Sequence, residues 1–221
     1  MDFEKNNKYY EKLSRSLSWL LRHHVVDKGL MITTDGYVLL DDIFKMNEFK
    51  NYTFDDINHV VENNDKKRFD LKSIECPNNK NNKIWYIRAN QGHSHQVATK
   101  IKQDELLTKL TEPLDLIVHG TTFEAYKVIK NTGLKKMDRS HIHFAITDDI
   151  VKGNSGQSGI RGNCQILIYV DMKKAMDDGI NFYISKNKVV LSEGKDDQGI
   201  DIKYFSKVID RKTKKNILLN E

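Results

Sequence analysis

The first hundred residues alternate between helical and strand periodicity. Residues 10–25 predict an amphipathic helix, because apolar side chains recur there at helical spacing. The predicted apolar face comprises Leu13, Leu17, Leu20, Leu21 and His24. Arg22 falls on the opposite, polar face, and Gly29 is predicted to end the helix or to close the turn after it.

A turn and a short strand are predicted next. Asp35 and Gly36 are typical of a turn, and residues 37–40 are predicted to form a short strand. We expect Asp41 and Asp42 to cap the helix that follows this strand.

A second helix and two strands complete the N-terminal pattern. Thr53 and Asp56 resemble a capping box, with Asp in place of the usual Glu, at the start of a helix. Residues 68–74 and 83–89 then read as strands on either side of a polar loop. Helices followed by such a hairpin indicate a winged-helix arrangement, which is frequent among nucleic-acid-binding proteins.

The pattern changes at Pro113 to many short strands. These predicted strands are Leu114–His119, His141–Ile146, Gln165–Asp171, Phe182–Ser185 and Val189–Ser192. A helix is predicted over residues 122–131, between the first two strands. We therefore expect an α+β protein with an N-terminal lobe over 1–96, a polar linker helix over 97–112 and a C-terminal lobe over 113–221.

Composition narrows the class of protein. Of 221 residues, 38% are hydrophobic and 30% are charged, which is typical of a globular protein. No apolar run approaches the ~20 residues that span a bilayer, and the charged N-terminal residues do not predict a signal peptide. Two cysteines give neither a disulfide framework nor a cysteine zinc site, so we expect an intracellular protein, cytoplasmic or nuclear, without a membrane partner. A net charge of +5 permits a polyanionic partner without requiring one.

Two N-terminal motifs offer donors to an anion. Arg22 and His23 lie side by side, and a guanidinium beside an imidazole suits a phosphate. The alternative is a solvated arginine and partly buried histidines at a helix C-terminus. Strand alternation places Arg88 at the end of a half-buried face. The turn after it, Gln91-Gly92-His93-Ser94, either closes a hairpin or presents N–H and hydroxyl groups to a phosphate.

Three C-terminal motifs are candidates of the same kind. His119, Gly120 and Thr121 lie between a strand and a helix, where glycine permits close approach and the helix N-terminus favours pyrophosphate. The other candidates are Arg139, His141 and His143, expected on one face of a strand, and Ser158 with Arg161 in a flexible loop. Metal binding by His141 and His143 is disfavoured, because no third ligand is evident nearby. The combined set holds anions and lacks a strong base.

The set and order of these motifs resemble the RNA 2′-phosphotransferase family of the KptA type. The resemblance covers about residues 11 to 208. It is carried by Leu17–His23, Asp35–Val38, Ile87–Ser94, His119–Thr121, Arg139–Ala145, Ser158–Arg161 and Asn187–Gly194. It implies a winged-helix N-terminal lobe for RNA and an ADP-ribosyltransferase-like C-terminal lobe for NAD⁺.

Site roles follow from the same resemblance. It implies that Arg22, His23, Arg88 and Arg139 form the catalytic set. Gln91, His93 and Ser94 would join the first three in binding the RNA phosphate. The NAD⁺-binding residues implied are His119, Gly120, Thr121, His141, His143, Ser158 and Arg161.

The implied reaction is the removal of an internal 2′-phosphate from RNA, with spliced tRNA as a candidate substrate. NAD⁺ is the co-substrate, no metal is needed, and an ADP-ribosylated RNA is the intermediate. The products are 2′-OH RNA, nicotinamide and ADP-ribose 1″,2″-cyclic phosphate, and a monomer is expected. Two alternatives remain: an ADP-ribosyltransferase acting on terminal phosphates of RNA or DNA, and a non-enzymatic winged-helix regulator that binds nucleic acid.

Overall fold

The computed structural model describes residues 2–76, 79–146, 160 and 162–217. The chain divides into two compact units, unit 1 over Met1–Leu106 and unit 2 over Leu107–Glu221. The division falls inside the segment predicted as a linker. Each unit contains its own hydrophobic core.

Unit 1 begins with a long helix that changes type near its end. Helix α1 covers Asp2–Trp19, and a π-helical segment over Leu20–His24 continues it. The predicted leucines of the apolar face are all buried, but His24 is only half-buried and does not belong to the core. A π-helical turn is wider than an α-helical turn and changes the direction of the side chains that follow. The predicted α-helical phase, which placed Arg22 on the polar face, therefore does not hold through this segment.

The other elements of unit 1 are two helices and a three-stranded antiparallel sheet. These are β1 (Val38–Leu39), α2 (Leu40–Phe44), α3 (Phe54–Glu62), β2 (Phe69–Cys76) and β3 (Asn79–Ala89). The strand order is β1-β3-β2. The capping box at α3 is confirmed, whereas α2 begins after Leu39, without a capping bond from Asp41 or Asp42. Two short helices, α4 (His95–Ala98) and α5 (Gln103–Leu106), end the unit.

Unit 2 contains two antiparallel sheets. One has the strand order β10-β7-β5 and the other β4-β8-β9-β6. Their strands are β4 (Leu107–Lys109), β5 (Ile117–Thr121), β6 (Ile142–Phe144), β7 (Ile166–Val170), β8 (Tyr183–Ser185), β9 (Val190–Ser192) and β10 (Phe205–Asp210). A bridge between Val118 and Ala145 joins the two sheets, so the end of β6 lies beside β5. This bridge brings two of the predicted histidine motifs together.

Two helices flank the sheets of unit 2, α6 (Phe123–Thr132) and α7 (Met172–Asp177). Short 3₁₀ turns at Asp196–Gln198 and Ile202–Tyr204 precede β10. The five predicted strands and the helix at α6 are present with slightly different ends, whereas β4, α7 and β10 were not predicted. No helix among the described residues is long and apolar enough to cross a membrane.

Candidate functional site

Arg22 lies against the polar turn that follows β3. The Ser94 N–H donates to the Arg22 carbonyl oxygen at 2.8 Å, which fixes the end of the turn to the π-helical segment. A Cβ atom added at Gly92 would lie 3.5 Å from Cζ and Nε of Arg22. Gly92 has φ +86°, a conformation that glycine adopts without strain. The sequence motifs of Arg22 and the Gln91–Ser94 turn are thus neighbours in the structure.

The histidines after Arg22 lie in an aromatic and charged setting. The His24 ring stacks on Trp19 with centroids 4.2 Å apart, and its Nδ1 lies 3.2 Å from Oδ2 of Asp27. The His23 ring meets that of His24 edge-on at 6.3 Å, and both imidazoles are half-buried. This setting keeps His23 next to Arg22 and partly accessible to a ligand.

Arg88 is held on three sides. Its Nη1 donates to the backbone oxygen of Asp35 at 2.8 Å, and Nη2 lies 3.4 Å from Oδ2 of Asp70. The guanidinium also lies over the Tyr37 ring, 4.6 Å from its centroid. The side chains of Arg88 and Asp70 are 11% and 15% exposed, so this is a largely desolvated ion pair.

The acidic groups around Arg88 have further partners. Tyr37 donates to Oδ2 of Asp70 at 2.6 Å, and burial together with that bond raises the pKa of Tyr37. Lys72 donates to Oδ2 of Asp35 at 2.7 Å. Its Nζ also lies 4.1 Å from the centroid of the Tyr37 ring, which Arg88 contacts as well. Burial raises the pKa of Asp35, but hydrogen bonds from Lys72 and Thr33 outweigh it and lower the pKa below its usual 3.8.

The turn after β3 is firmly anchored. Asn90 and His93 are both 3% exposed, and Gln91 and Ser94 are half-buried. Nδ2 of Asn90 donates to the carbonyl oxygens of Lys67 at 2.7 Å and Phe69 at 3.3 Å. Among the described residues, the buried Oγ of Ser94 has no hydrogen-bond partner. Ser94 therefore has a free hydroxyl beside the Arg22 backbone.

In unit 2, His119 and His143 meet through the bridge between the sheets. Nδ1 of His119 lies 2.9 Å from the carbonyl oxygen of His143, and its ring meets Phe144 edge-on at 6.0 Å. His143 and Thr121 are buried, while His119 is half-buried. The structure thus brings together two of the predicted histidines.

Gly120 is required by packing at this place. A Cβ there would lie 2.5 Å from Cγ2 of Ile160, which is closer than real Cβ contacts, and 3.2 Å from Cβ of Cys164, which is tight. The expected reason for this glycine, close approach of a ligand, is thus accompanied by a plain steric one.

The N-terminus of α6 is less open than expected. The Phe123 N–H donates to Oε1 of Gln165 at 3.1 Å, and the Ala125 N–H donates to Oγ1 of Thr122 at 3.3 Å. Glu124 also places an acidic side chain in the first turn. These groups occupy donors on which the expectation of a pyrophosphate at this helix end depended.

Arg139 and His141 precede strand β6 rather than belonging to it. Of the three residues expected on one strand face, only His143 lies within β6, so alternation does not place the other two. Nδ1 of His141 lies 2.9 Å from Oγ of Ser140. Its Nε2 lies 3.7 Å from Oε1 of Glu193, beyond hydrogen-bond distance. Burial lowers the pKa of His141 below its usual 6.5, against the opposing effect of Glu193.

Two expected site residues, Ser158 and Arg161, lie outside the described residues. Within residues 2–76, 79–146, 160 and 162–217, no group of three or more His, Cys, Asp or Glu side chains is placed to hold a metal ion.

Sequence reasoning did not identify Tyr37, Asp70 or Glu193 as neighbours of the candidate site. Asp70 is directly opposite Arg88 in the β2–β3 pairing, so a correct strand register would have found it. Glu193 follows β9, which pairs with β6, and this contact requires the sheet order of unit 2. Tyr37 lies within the predicted strand of residues 37–40, but its contact with Arg88 required the fold.

A family model described as RNA 2′-phosphotransferase, Tpt1 / KptA family, matches residues 8–194. A relative from Schizosaccharomyces pombe is 40% identical over 196 residues, which is 88% of this chain and 50% of that protein. The chain therefore spans about half the length of this relative.

Two vertebrate relatives are covered more fully. The tRNA 2′-phosphotransferase 1 of Danio rerio is 37% identical over 83% of this chain and 78% of its own length. The protein of the same name from Mus musculus is 36% identical over 94% of this chain and 80% of its own length. The similarity thus includes both units.

Proposed function

The chain belongs to the RNA 2′-phosphotransferase family of the Tpt1/KptA type, and we propose that it removes an internal 2′-phosphate from RNA in an NAD⁺-dependent reaction. The observation that carries the proposal is the pairing of Arg22 with the anchored Gln91–Ser94 turn, together with the fixed Arg88. The names of the vertebrate relatives suggest tRNA as the RNA substrate.

We propose that unit 1 is a winged-helix lobe and that unit 2 is an ADP-ribosyltransferase-like lobe. Support for the first comes from its element order, in which helices precede the β2–β3 pair in a sheet of order β1-β3-β2. Support for the second is the family resemblance together with two antiparallel sheets joined by the Val118–Ala145 bridge.

We assign the RNA phosphate to unit 1. The Cβ position of Gly92 lies 3.5 Å from Cζ and Nε of Arg22, so the turn and the guanidinium are in direct contact. Ser94 and the half-buried Gln91 lie in the same turn and add a hydroxyl and an amide. Guanidinium groups bind phosphate oxygens through paired, charge-assisted hydrogen bonds. His23, next to Arg22, adds an imidazole donor, and His93 supports the turn from inside.

We assign NAD⁺ to unit 2, with His119, Gly120, Thr121, Arg139, His141, His143, Ser158 and Arg161 as its binding residues. The donors within the described part of this set fit the group, because imidazole, hydroxyl and guanidinium groups suit ribose hydroxyls and phosphates. Nε2 of His141 supports the fit, since it is buried and makes no hydrogen bond within the described residues. Such an atom is expected to find a partner when a polar ligand binds.

NAD⁺, the second substrate, supplies the electrophilic ribose carbon and the hydroxyl that finally accepts the phosphate. The proposed first step needs no strong base from this chain, because a phosphate dianion is already nucleophilic. Arg22, His23 and Arg88 hold the RNA phosphate in line, and such positioning lowers the barrier substantially. The arginines also stabilise the charge that builds on the phosphoryl oxygens.

Arg139 has a separate role in this proposal. It is half-buried and lies two residues before His141, on the approach to β6. We assign it to the cofactor ribose and the transferring phosphate, so Arg139→Ala should slow the final transfer. ADP-ribosylated RNA should then accumulate. If Arg139→Ala behaves like the wild type, the assignment is wrong and Arg161 is the better candidate.

The test is incubation of the purified protein with NAD⁺ and a short RNA that bears one internal 2′-phosphate, followed by mass analysis. We expect 2′-OH RNA only when NAD⁺ is present, and EDTA should leave the yield unchanged. The same RNA with a 2′-hydroxyl is the control and should not consume NAD⁺.

Three results would contradict the proposal. Turnover that requires a divalent metal would show a different chemistry. Stable ADP-ribosylation of RNA bearing only a terminal phosphate, without action on the 2′-phosphate, would indicate a terminal-phosphate ADP-ribosyltransferase. RNA binding without any consumption of NAD⁺ would indicate a regulator.

A further inference from the structure

We propose that Tyr37 and Asp70 are positioning residues that fix Arg88 so that one edge of its guanidinium stays available to the RNA 2′-phosphate. The inference rests on the proposed function for the identity of the ligand. The fixing of Arg88 itself is independent of turnover and can be measured separately.

The first step concerns what each guanidinium nitrogen touches. Nη1 of Arg88 donates to the Asp35 carbonyl oxygen at 2.8 Å, and Nη2 lies 3.4 Å from Oδ2 of Asp70. The Tyr37 ring lies against the guanidinium at 4.6 Å. Contacts with a carbonyl, a carboxylate and a ring restrict both the position and the plane of this group.

The second step concerns how Asp70 is fixed in turn. Tyr37 donates its hydroxyl to the same Oδ2 atom that faces Arg88, at 2.6 Å. Tyr37 therefore contacts Arg88 with its ring and the carboxylate of Asp70 with its hydroxyl. Asp70 lies directly opposite Arg88 in the β2–β3 register, so the backbone also holds the pair together. The side chains of Tyr37, Asp70 and Arg88 form one connected cluster.

The third step concerns Nε, the third guanidinium nitrogen of Arg88. Within the described residues, Nε of Arg88 is buried and has no hydrogen-bond partner. A guanidinium has five N–H donors in a rigid plane, so fixing Nη1 and Nη2 also fixes the direction of the Nε–H bond. A buried donor without a partner is rare in native proteins, and a bound water or a ligand is expected to supply the acceptor. A phosphate oxygen is the acceptor that suits it.

A purely structural role is the competing explanation. A desolvated ion pair between Arg88 and Asp70 could serve only to hold β2 and β3 together. That explanation gives Nε no acceptor within the described residues. It also predicts that loss of the Tyr37 hydroxyl lowers stability without changing which RNA is bound.

The test compares Tyr37→Phe and Asp70→Asn with a matched control in the same unit. Tyr9 donates its hydroxyl to Oδ2 of Asp56 at 3.2 Å, so Tyr9→Phe removes the same kind of bond away from Arg88. Binding of 2′-phosphorylated RNA and of the same RNA with a 2′-hydroxyl is measured on the full chain. The ratio of the two affinities should fall about ten- to a hundred-fold in both test variants, as expected when a charge-assisted hydrogen bond to the phosphate is lost. Tyr9→Phe should keep the wild-type ratio.

A second measurement does not require turnover. The ¹⁵Nε–H signal of Arg88, identified by its loss in Arg88→Lys, reports the mobility of the guanidinium by NMR relaxation. The signal should be rigid in the wild type and in Tyr9→Phe, and mobile in Tyr37→Phe and Asp70→Asn. NAD⁺ affinity should not change in any of them.

The outcomes separate the explanations. An Arg88 signal that stays rigid in both test variants overturns the proposal. So does a melting temperature that falls while the affinities for both RNAs fall equally, since that indicates a structural role. If wild-type protein fails to act on 2′-phosphorylated RNA, the proposed function fails, and the Arg88 signal still decides whether Tyr37 and Asp70 fix the arginine.

Discussion

In unit 1 the candidate arginine Arg88 is held by a carboxylate, a carbonyl and an aromatic ring, whereas in unit 2 the imidazoles are held by a carbonyl, a hydroxyl and burial. The difference is one of charge. A guanidinium stays protonated at any ordinary pH. His141 is buried with its nearest acidic group 3.7 Å away, and its pKa is lowered. The comparison teaches that Arg88 in unit 1 offers a charged donor, which suits the proposed RNA phosphate, whereas burial favours the neutral form of His141 in unit 2.

The strongest test of this comparison measures the affinities for both ligands in one mutant of each unit. Arg22→Ala removes a charged phosphate contact, which typically costs ~1.5–3 kcal/mol, or roughly ten- to a hundred-fold in affinity. RNA affinity should fall by that factor, and NAD⁺ affinity should be nearly unchanged. His119→Ala should do the reverse. Calorimetry with both ligands and both mutants measures the four values.

Equal loss of both ligands in each mutant would mean that the units do not divide the work or that the mutants are misfolded. Thermal melts of Arg22→Ala and His119→Ala distinguish these two results. A mutant that melts like the wild type and loses both ligands contradicts the division.

The next test concerns the stability effect of one glycine in each unit, beginning with Gly120 of unit 2. Gly120→Ala places a Cβ 2.5 Å from Cγ2 of Ile160, and such overpacking typically costs about 1–3 kcal/mol of unfolding free energy. Gly162→Ala is the matched control, because no atom lies within 4 Å of its Cβ position among the described residues. Thermal or urea unfolding measures both. In an Ile160→Ala background the additional loss from Gly120→Ala should nearly vanish, and a persistent loss would mean that backbone conformation, not packing, requires this glycine.

How far the sequence predicts this fold depends on the periodicity of each element. The leucine stripe of α1, the capping box of α3 and the strands β5 to β9 follow regular apolar patterns, and these were predicted. Strand β10 was not, because a register shift between Phe205 and Lys207 breaks the alternation that identifies a strand. The π-helical segment was missed because Leu20 and Leu21 fit an α-helical stripe equally well.

The candidate site divides in a similar way. Arg22, Arg88 and His119 carry unusual chemistry in short motifs, so the sequence could nominate them. Their partners are ordinary residues brought close by pairing, as Asp70 is by the β2–β3 register and Glu193 by the contact of β9 with β6. Side-chain chemistry is local in sequence, whereas the electrostatic setting of each group depends on contacts across strands.

A smaller effect is expected from substitution of Gly92 in unit 1. Gly92→Ala and Gly29→Ala both place a side chain at positive φ, +86° and +67°, and each should lose about 1–2 kcal/mol of stability. Only Gly92 faces Arg22, at an ordinary contact distance of 3.5 Å. RNA affinity should therefore fall in Gly92→Ala alone, by less than about tenfold. Equal RNA affinity in the two variants, measured by titration, would mean that the Arg22 edge facing Gly92 does not meet the phosphate.

The smallest expected effect is the pH dependence of stability that arises from His141 in unit 2. Burial lowers the pKa of this imidazole in the folded state below the usual 6.5, so above pH 6.5 the group is neutral in both states and costs no stability. As the pH falls below 6.5, the unfolded chain binds a proton that the folded chain does not, and the free energy of unfolding declines until the pH reaches the folded-state pKa.

His141→Asn should flatten this decline, while His95→Asn, at an exposed histidine, controls for the loss of one imidazole. Glu193→Gln should steepen it, because Glu193 is the group that opposes burial, although its side chain is 55% exposed and the change should be slight. Urea unfolding at pH values from about 7.5 to about 5 measures all four proteins, and an unchanged slope in His141→Asn would mean that the neutral imidazole is not a feature of unit 2.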